Sequence, residues 1–187
     1  MMKKLIPGIL ITIGLLICGY EYWKMIDGQK QVNATLQSAR ALVELQTHKD
    51  SSAFMPEVGD AIGILEIERL GAKLPIVEGT DAEDLAKGVG HFKESYLPNE
   101  NGQIVLSGHR DTVFRRTGEL KKGDQLTMKL PYGDFLYEIE TMKIVDKNDT
   151  SIITLQQDKE ELILTTCYPF SYIGPAPKRY IIYGKRV

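Results

Sequence analysis

A thiol, an imidazole and a guanidinium stand at comparable places in this sequence. Cys167 closes the run "ELILTTC", His109 follows "IVLSG", and Arg179 opens "RYIIYGKRV". Each sits where a short apolar segment begins or ends, the position from which a side chain on a strand edge faces a reactant. A thiol beside an imidazole pairs a nucleophile with a general acid and base, which is what acyl transfer through a thioester requires. A fixed guanidinium supplies what remains, a donor for the oxyanion of a tetrahedral intermediate. Only two cysteines and three histidines occur. Cys18 lies in an apolar N-terminal segment and His48 in a polar one, while His91, in "KGVGHF", is a candidate for packing or hydrogen bonding. His109 is therefore the base candidate for Cys167.

The plainer alternative is that Cys167 is a small buried hydrophobe, as free cysteines often are. Against it stands the cost of leaving a thiol unpaired outside the reducing cytosol. Arg179 follows Cys167 by twelve residues, across the Pro-rich loop "PFSYIGPAP". An antiparallel return of the chain would bring it back beside the thiol. Arg186 belongs to the far end of the same strand, and Arg110, Arg115 and Arg116 either face solvent or hold the loop after His109. Asp111 is a candidate to orient the imidazole, with turn capping as the alternative.

These groups need a rigid frame, and the frame reads as β. "AIGILEIERLGAKLPIVEG", "QIVLSGH", "QLTMKL", "FLYEIETMKIV", "ELILTTC" and "RYIIYGKRV" are short apolar or alternating runs separated by Gly, Asp, Asn and Pro. Such spacing predicts a closed or nearly closed barrel. The exception is "TDAEDLAKGVGHF", a short helix with Thr80 as N-cap, Glu83 three residues on and Gly88 as its stop. A hydrophobic fraction of 43%, a charged fraction of 26% and a net charge of -2 are those of an ordinary globular protein. They give no electrostatic basis for a nucleic-acid partner. The cysteine count excludes a disulfide framework, and no C-x-x-C or H-E-x-x-H spacing points to a metal, so neither metal nor cofactor is expected.

The N-terminus is of another kind. Lys3 and Lys4 precede an uncharged run from Leu5 to Gly19, closed by Tyr20, Tyr22 and Trp23. As a helix, Leu5–Trp23 would reach about 28 Å against a bilayer core of about 30 Å. The expectation is a cytoplasmic tail over 1–4, a single-pass signal-anchor over 5–23 and an extracytoplasmic remainder. A cleaved signal peptide is the alternative, weakened by the lack of a small-x-small site. Residues 24–55 read as a helical stalk or linker with Val32, Leu36, Ala39 and Val43 at helical spacing, and "SSAFMPEVGD" sets the domain boundary near Met55. The domain then occupies 56–187.

"VLSGHRDT", "LILTTCYPF" and "APKRYIIYGKRV", in that order after an N-terminal anchor, resemble the histidine, cysteine and arginine motifs of the sortases, cell-wall transpeptidases of Gram-positive bacteria. The resemblance covers about Gly59 to Val187 and is most like class D. The family's T-L-x-T-C signature is met from Leu164 to Cys167, with Ile163 in place of its first threonine. Class C enzymes are similar but typically carry a C-terminal membrane segment and an aspartate-aromatic lid.

The resemblance implies a closed eight-stranded β-barrel with one or two short helices. It also implies an enzyme in which Cys167 cleaves surface proteins after the threonine of an LPxT-type sorting signal, holding the acyl group as a thioester until a peptidoglycan amine releases it. His109 would protonate the leaving amine and deprotonate the incoming one, and Arg179 would hold the oxygen. Thr166 would support the site and contact substrate. Ile152, Ile153 and Leu155, in the segment before the cysteine strand, are candidates for an apolar wall of the signal's groove. Three rivals remain at this stage: an L,D-transpeptidase, whose histidine shortly before cysteine is replaced here by Thr165 and Thr166; a non-catalytic tethered barrel; and a secreted cysteine protease.

Overall fold

The computed structural model describes residues 2–45, 54–171 and 174–187, with the side chains of residues 2–9 left out. Eight strands close into a barrel in the order β1-β2-β3-β4-β7-β8-β6-β5. They are β1 (Ala61–Ile67), β2 (Ala72–Glu78), β3 (Val89–His91), β4 (Gln103–Gly108), β5 (Gln125–Leu130), β6 (Gly133–Asp146), β7 (Glu161–Tyr168) and β8 (Lys178–Arg186). The expected barrel is thus present. β3 lies where the sequence suggested only the end of the short helix, and at three residues it is too brief to leave a periodic signal. That helix, α2, runs Ala82–Lys87, capped by Asp81 and not Thr80, and stops at Gly88 as expected.

Alternation along the strands divides inside from outside. Ile104 and Leu106 of β4, Leu126, Met128 and Leu130 of β5, Leu162 and Leu164 of β7 and Ile182 of β8 fill the barrel. The parity fixes the other face as well. Gln103, Val105 and Ser107 of β4, Ile163, Thr165 and Cys167 of β7, and Arg179, Ile181 and Tyr183 of β8 all belong to the outer side of the wall.

The N-terminal segment is one helix, α1, over Met2–Leu45. Its outward residues Leu10, Ile11, Ile13, Leu15, Leu16, Ile17, Tyr20, Tyr22 and Trp23 are exposed. Among the described residues no helix is long and apolar enough to cross a membrane. The tail over 1–4 and the first five positions of the expected anchor, 5–9, lie outside the described side chains. Beyond Met25 the helix packs on β1, β2 and α2. The stripe foreseen from spacing is the packed one: Ala39 is fully buried and Val32, Leu36 and Val43 are half-buried.

Candidate active site

Two strand pairings assemble the site. β4 and β7 are parallel, with Ser107 opposite Thr165 and Gly108 opposite Thr166. β7 and β8 are antiparallel, with Cys167 opposite Arg179. His109, the residue after Gly108, therefore leaves β4 level with Cys167. By parity the imidazole, thiol and guanidinium share the outer face of the wall, the thiol in the middle. His109 is exposed, while Cys167 and Arg179 are half-buried. A reactant can reach all three from solvent.

The strand ends are pinned. Thr166, 5% exposed, lies on the inner face and donates its hydroxyl to the Gly108 carbonyl at 2.7 Å. It ties the residue before the cysteine to the residue before the histidine. A Cβ at Gly108 would lie 2.6 Å from Cδ2 of Phe114, a wholly buried ring, so only glycine lets the chain close over Phe114. The His109 carbonyl accepts from the Phe114 amide at 3.0 Å, and the Thr117 hydroxyl donates to the Phe114 carbonyl at 2.7 Å. The loop after His109 is thus folded on its own buried aromatic.

Further contacts join this loop to its neighbours. Arg110 donates to the Gly174 carbonyl at 2.9 Å. Arg116 pairs with Glu119 at 2.8 Å and donates to the Leu70 carbonyl at 3.2 Å. A Cβ at Gly118 would stand 2.7 Å from the Phe170 ring. Phe170 meets Tyr168 and Tyr180 at centroid distances of 5.6 and 5.3 Å. Burial, aided by the nearby Tyr168, raises the Tyr180 phenol above its ordinary range. Its hydroxyl therefore stays neutral, donating to the Met142 sulfur at 3.1 Å.

Arg179 is engaged with its own backbone, one terminal nitrogen donating to the carbonyls of Lys178 at 3.1 Å and Ala176 at 3.4 Å. Arg186 is at the far end of β8, opposite Tyr137, with its guanidinium 4.7 Å from the Phe135 ring centroid and 3.3 Å from Glu160. His91 is only 2% exposed and is used up structurally: Nδ1 lies 2.7 Å from Glu78 and Nε2 3.0 Å from the Tyr96 carbonyl.

Ile152, Ile153 and Leu155 are half-buried in the β6–β7 connection. The backbone of Ile152 and Leu155 is tied to the Gln103 side chain. Gln103 is the end of β4 remote from Gly108, so the structure sets this segment about 20 Å down the strand from His109. Among the described residues no group of three or more His, Cys, Asp or Glu side chains could hold a metal ion.

Sequence reasoning missed Gly108 with Phe114, Gly118 with Phe170, and Gln103. The glycine in "SGH" was a usable signal; the partners of the other two come from distant segments.

The sequence and the fold both have known relatives. The family model described as the sortase domain matches residues 65–187. Sortase D of Bacillus subtilis (strain 168) is 62% identical over 197 aligned residues, covering 100% of both chains. The Clostridium perfringens Sortase D5 transpeptidase superposes with a TM-score of 0.73 at 26% identity, over 84% of this chain and 99% of that one. Clostridium perfringens sortase C, solved with the C-terminal cell wall sorting motif, gives 0.64 at 28% identity over 88% and 89%.

Proposed function

The chain belongs to the sortase family of cysteine transpeptidases, in class D, and from that premise we propose that Cys167, His109 and Arg179 form its catalytic set, acting on an LPxT-type sorting signal. The observation that carries this reading is the register: Cys167 opposite Arg179, and His109 one residue past the Gly108–Thr166 pair.

The Cys167 thiol passes its proton to His109, and the thiolate sulfur attacks the carbonyl carbon of the signal's threonine. Arg179 leaves its backbone acceptors and donates to the oxygen as it becomes an oxyanion, which is worth most where water is excluded. Collapse breaks the C–N bond, and His109 gives its proton to the departing amine. The acyl group is then a thioester on Cys167. An incoming peptidoglycan amine, deprotonated by His109, attacks that thioester and forms a new amide while the thiolate leaves. Thr166 positions the two strand ends through its bond to Gly108. Ile152, Ile153 and Leu155 wall the distal part of the groove, where the residues that precede the leucine of an extended signal would lie. The Clostridium perfringens sortase C solved with the C-terminal cell wall sorting motif supports a sorting signal as the ligand.

Residues 5–23 anchor the chain in the cell membrane, with 1–4 cytoplasmic, 24–55 joining the anchor to the barrel through a helix that also packs on it, and 56–187 forming the extracytoplasmic catalytic unit. The exposed apolar side chains from Leu10 to Trp23 support this, as does the Gram-positive source of the 62% identical relative. Cleavage of fluorogenic LPxTG, LPxTA and LPNTA peptides, with and without added amine, tests the function. Cleavage with amine-dependent amide formation is the expected result, whereas hydrolysis alone would favour a protease and no cleavage would reject the signal class.

A further inference from the structure

We infer that Gln103 is a positioning residue for the sorting-signal groove, acting through the β6–β7 segment that it clamps to the outer wall of the barrel; this rests on the reading that Ile152–Leu155 wall the groove.

Gln103 begins β4, points outward by strand parity, and is nevertheless only 2% exposed. An outward amide becomes buried when something is folded over it, and its bonds identify what. Its oxygen accepts from the Thr154 amide at 2.9 Å and from the Leu155 amide at 3.2 Å. Its nitrogen donates to the Ile152 carbonyl at 3.3 Å and to Glu161 at 3.3 Å. Its own backbone amide donates to the Gln156 carbonyl at 3.0 Å. One side chain thus satisfies three backbone groups of a segment that has no ladder of its own, as an oxygen with two lone pairs and an NH2 with two protons allow. A carboxylate could not donate, and an amide one methylene shorter could not span the same groups.

Independent of these bonds, Leu155 has φ +50. A leucine in the left-handed region is strained and persists only where its surroundings hold it. The amide at that residue is one of the two that Gln103 accepts from. The segment therefore keeps a shape that its own sequence disfavours, and the clamp supplies the constraint. Such a preformed wall lowers the ordering cost of peptide binding. Removing it should weaken substrate capture and leave the chemistry at Cys167, six residues further along the strand pair from the Gln103–Glu161 level, unchanged.

The test compares wild type, Gln103→Leu and Gln103→Asn by amide hydrogen exchange and by steady-state cleavage of an LPxTA peptide. Gln103→Leu keeps the volume, and Gln103→Asn keeps a buried amide should the apolar variant fail to fold. The expected result is exchange at Thr154 and Leu155 accelerated about tenfold or more with Leu106 and Thr166 still protected, KM raised about tenfold, and kcat within about twofold. Unchanged exchange at Thr154 and Leu155 would overturn the clamp. Accelerated exchange with unchanged KM would overturn its role in binding, as would a fall in kcat alone. Lack of cleavage by the wild type would instead reject the sorting-signal reading, while exchange would still judge the clamp.

Discussion

Cys167 and Arg179 face one another across the antiparallel β7–β8 pair, so the spacing between thiol and guanidinium is set by a strand register and not by a loop. A register cannot drift by one residue without turning every side chain of the strand to the other face. The loop between them can therefore vary without disturbing the pair.

Arg179→Lys should lose activity almost as fully as Arg179→Ala. An ammonium keeps the charge but not the planar, two-pronged donor. The expected fall in kcat is about 100- to 1000-fold with a smaller change in KM, read by steady-state peptide cleavage. Arg186→Lys should keep its kcat and lower Tm, because Arg186 lies over Phe135 and beside Glu160 at the other end of the strand.

Gly108→Ala should cost about 1–3 kcal/mol by overpacking against Phe114 and reduce kcat as the backbone before His109 shifts. Thermal unfolding and cleavage report the two effects. Gly118→Ala should reduce kcat with little loss of stability, since its Cβ would displace the Phe170 ring in the loop after Cys167.

The frame of the site was legible in the sequence because strand ends and their reactive residues lie in contiguous text. "IVLSGH" and "ELILTTC" show both the apolar run and the group that closes it. What joins them was not legible: the parallel β4–β7 pairing brings together segments 58 residues apart, and no local pattern encodes a partner. The stripe at Val32, Leu36, Ala39 and Val43 was visible, but its partner, the β1–β2 wall, was not. Residues assigned to a stalk include a face packed on the barrel. Gln103 reads as one polar residue before a strand until the segment folded over it is seen.

A protein starting at Met55 lacks that packed face, so its Tm should fall below that of one starting at Met25. Each kcal/mol lost corresponds to about 2–4 °C in a domain of this size. Equal melting temperatures in a scanning calorimeter would show that α1 contributes nothing to the barrel.

Asp124 accepts from Arg69 and from the Lys121 amide at 2.7 Å. The Arg69 bond above all holds its carboxyl below the ordinary range, against burial. A carboxyl held lower in the folded than in the unfolded state contributes stability above about pH 4, lost as pH falls through the folded value. Asp124→Asn should therefore lower Tm at pH 7 and flatten the loss of stability below about pH 4. Arg69 lies in the turn whose Leu70 carbonyl receives Arg116, so kcat should fall modestly too.

Whether Cys167 carries the acyl group is decided by intact-mass spectrometry of the protein mixed with an LPxTA peptide. A covalent adduct equal to the acyl portion through threonine is expected, located on Cys167, discharged by hydroxylamine and absent from Cys167→Ala. Peptide cleavage by Cys167→Ala, or an adduct on any other residue, would contradict Cys167 as the nucleophile.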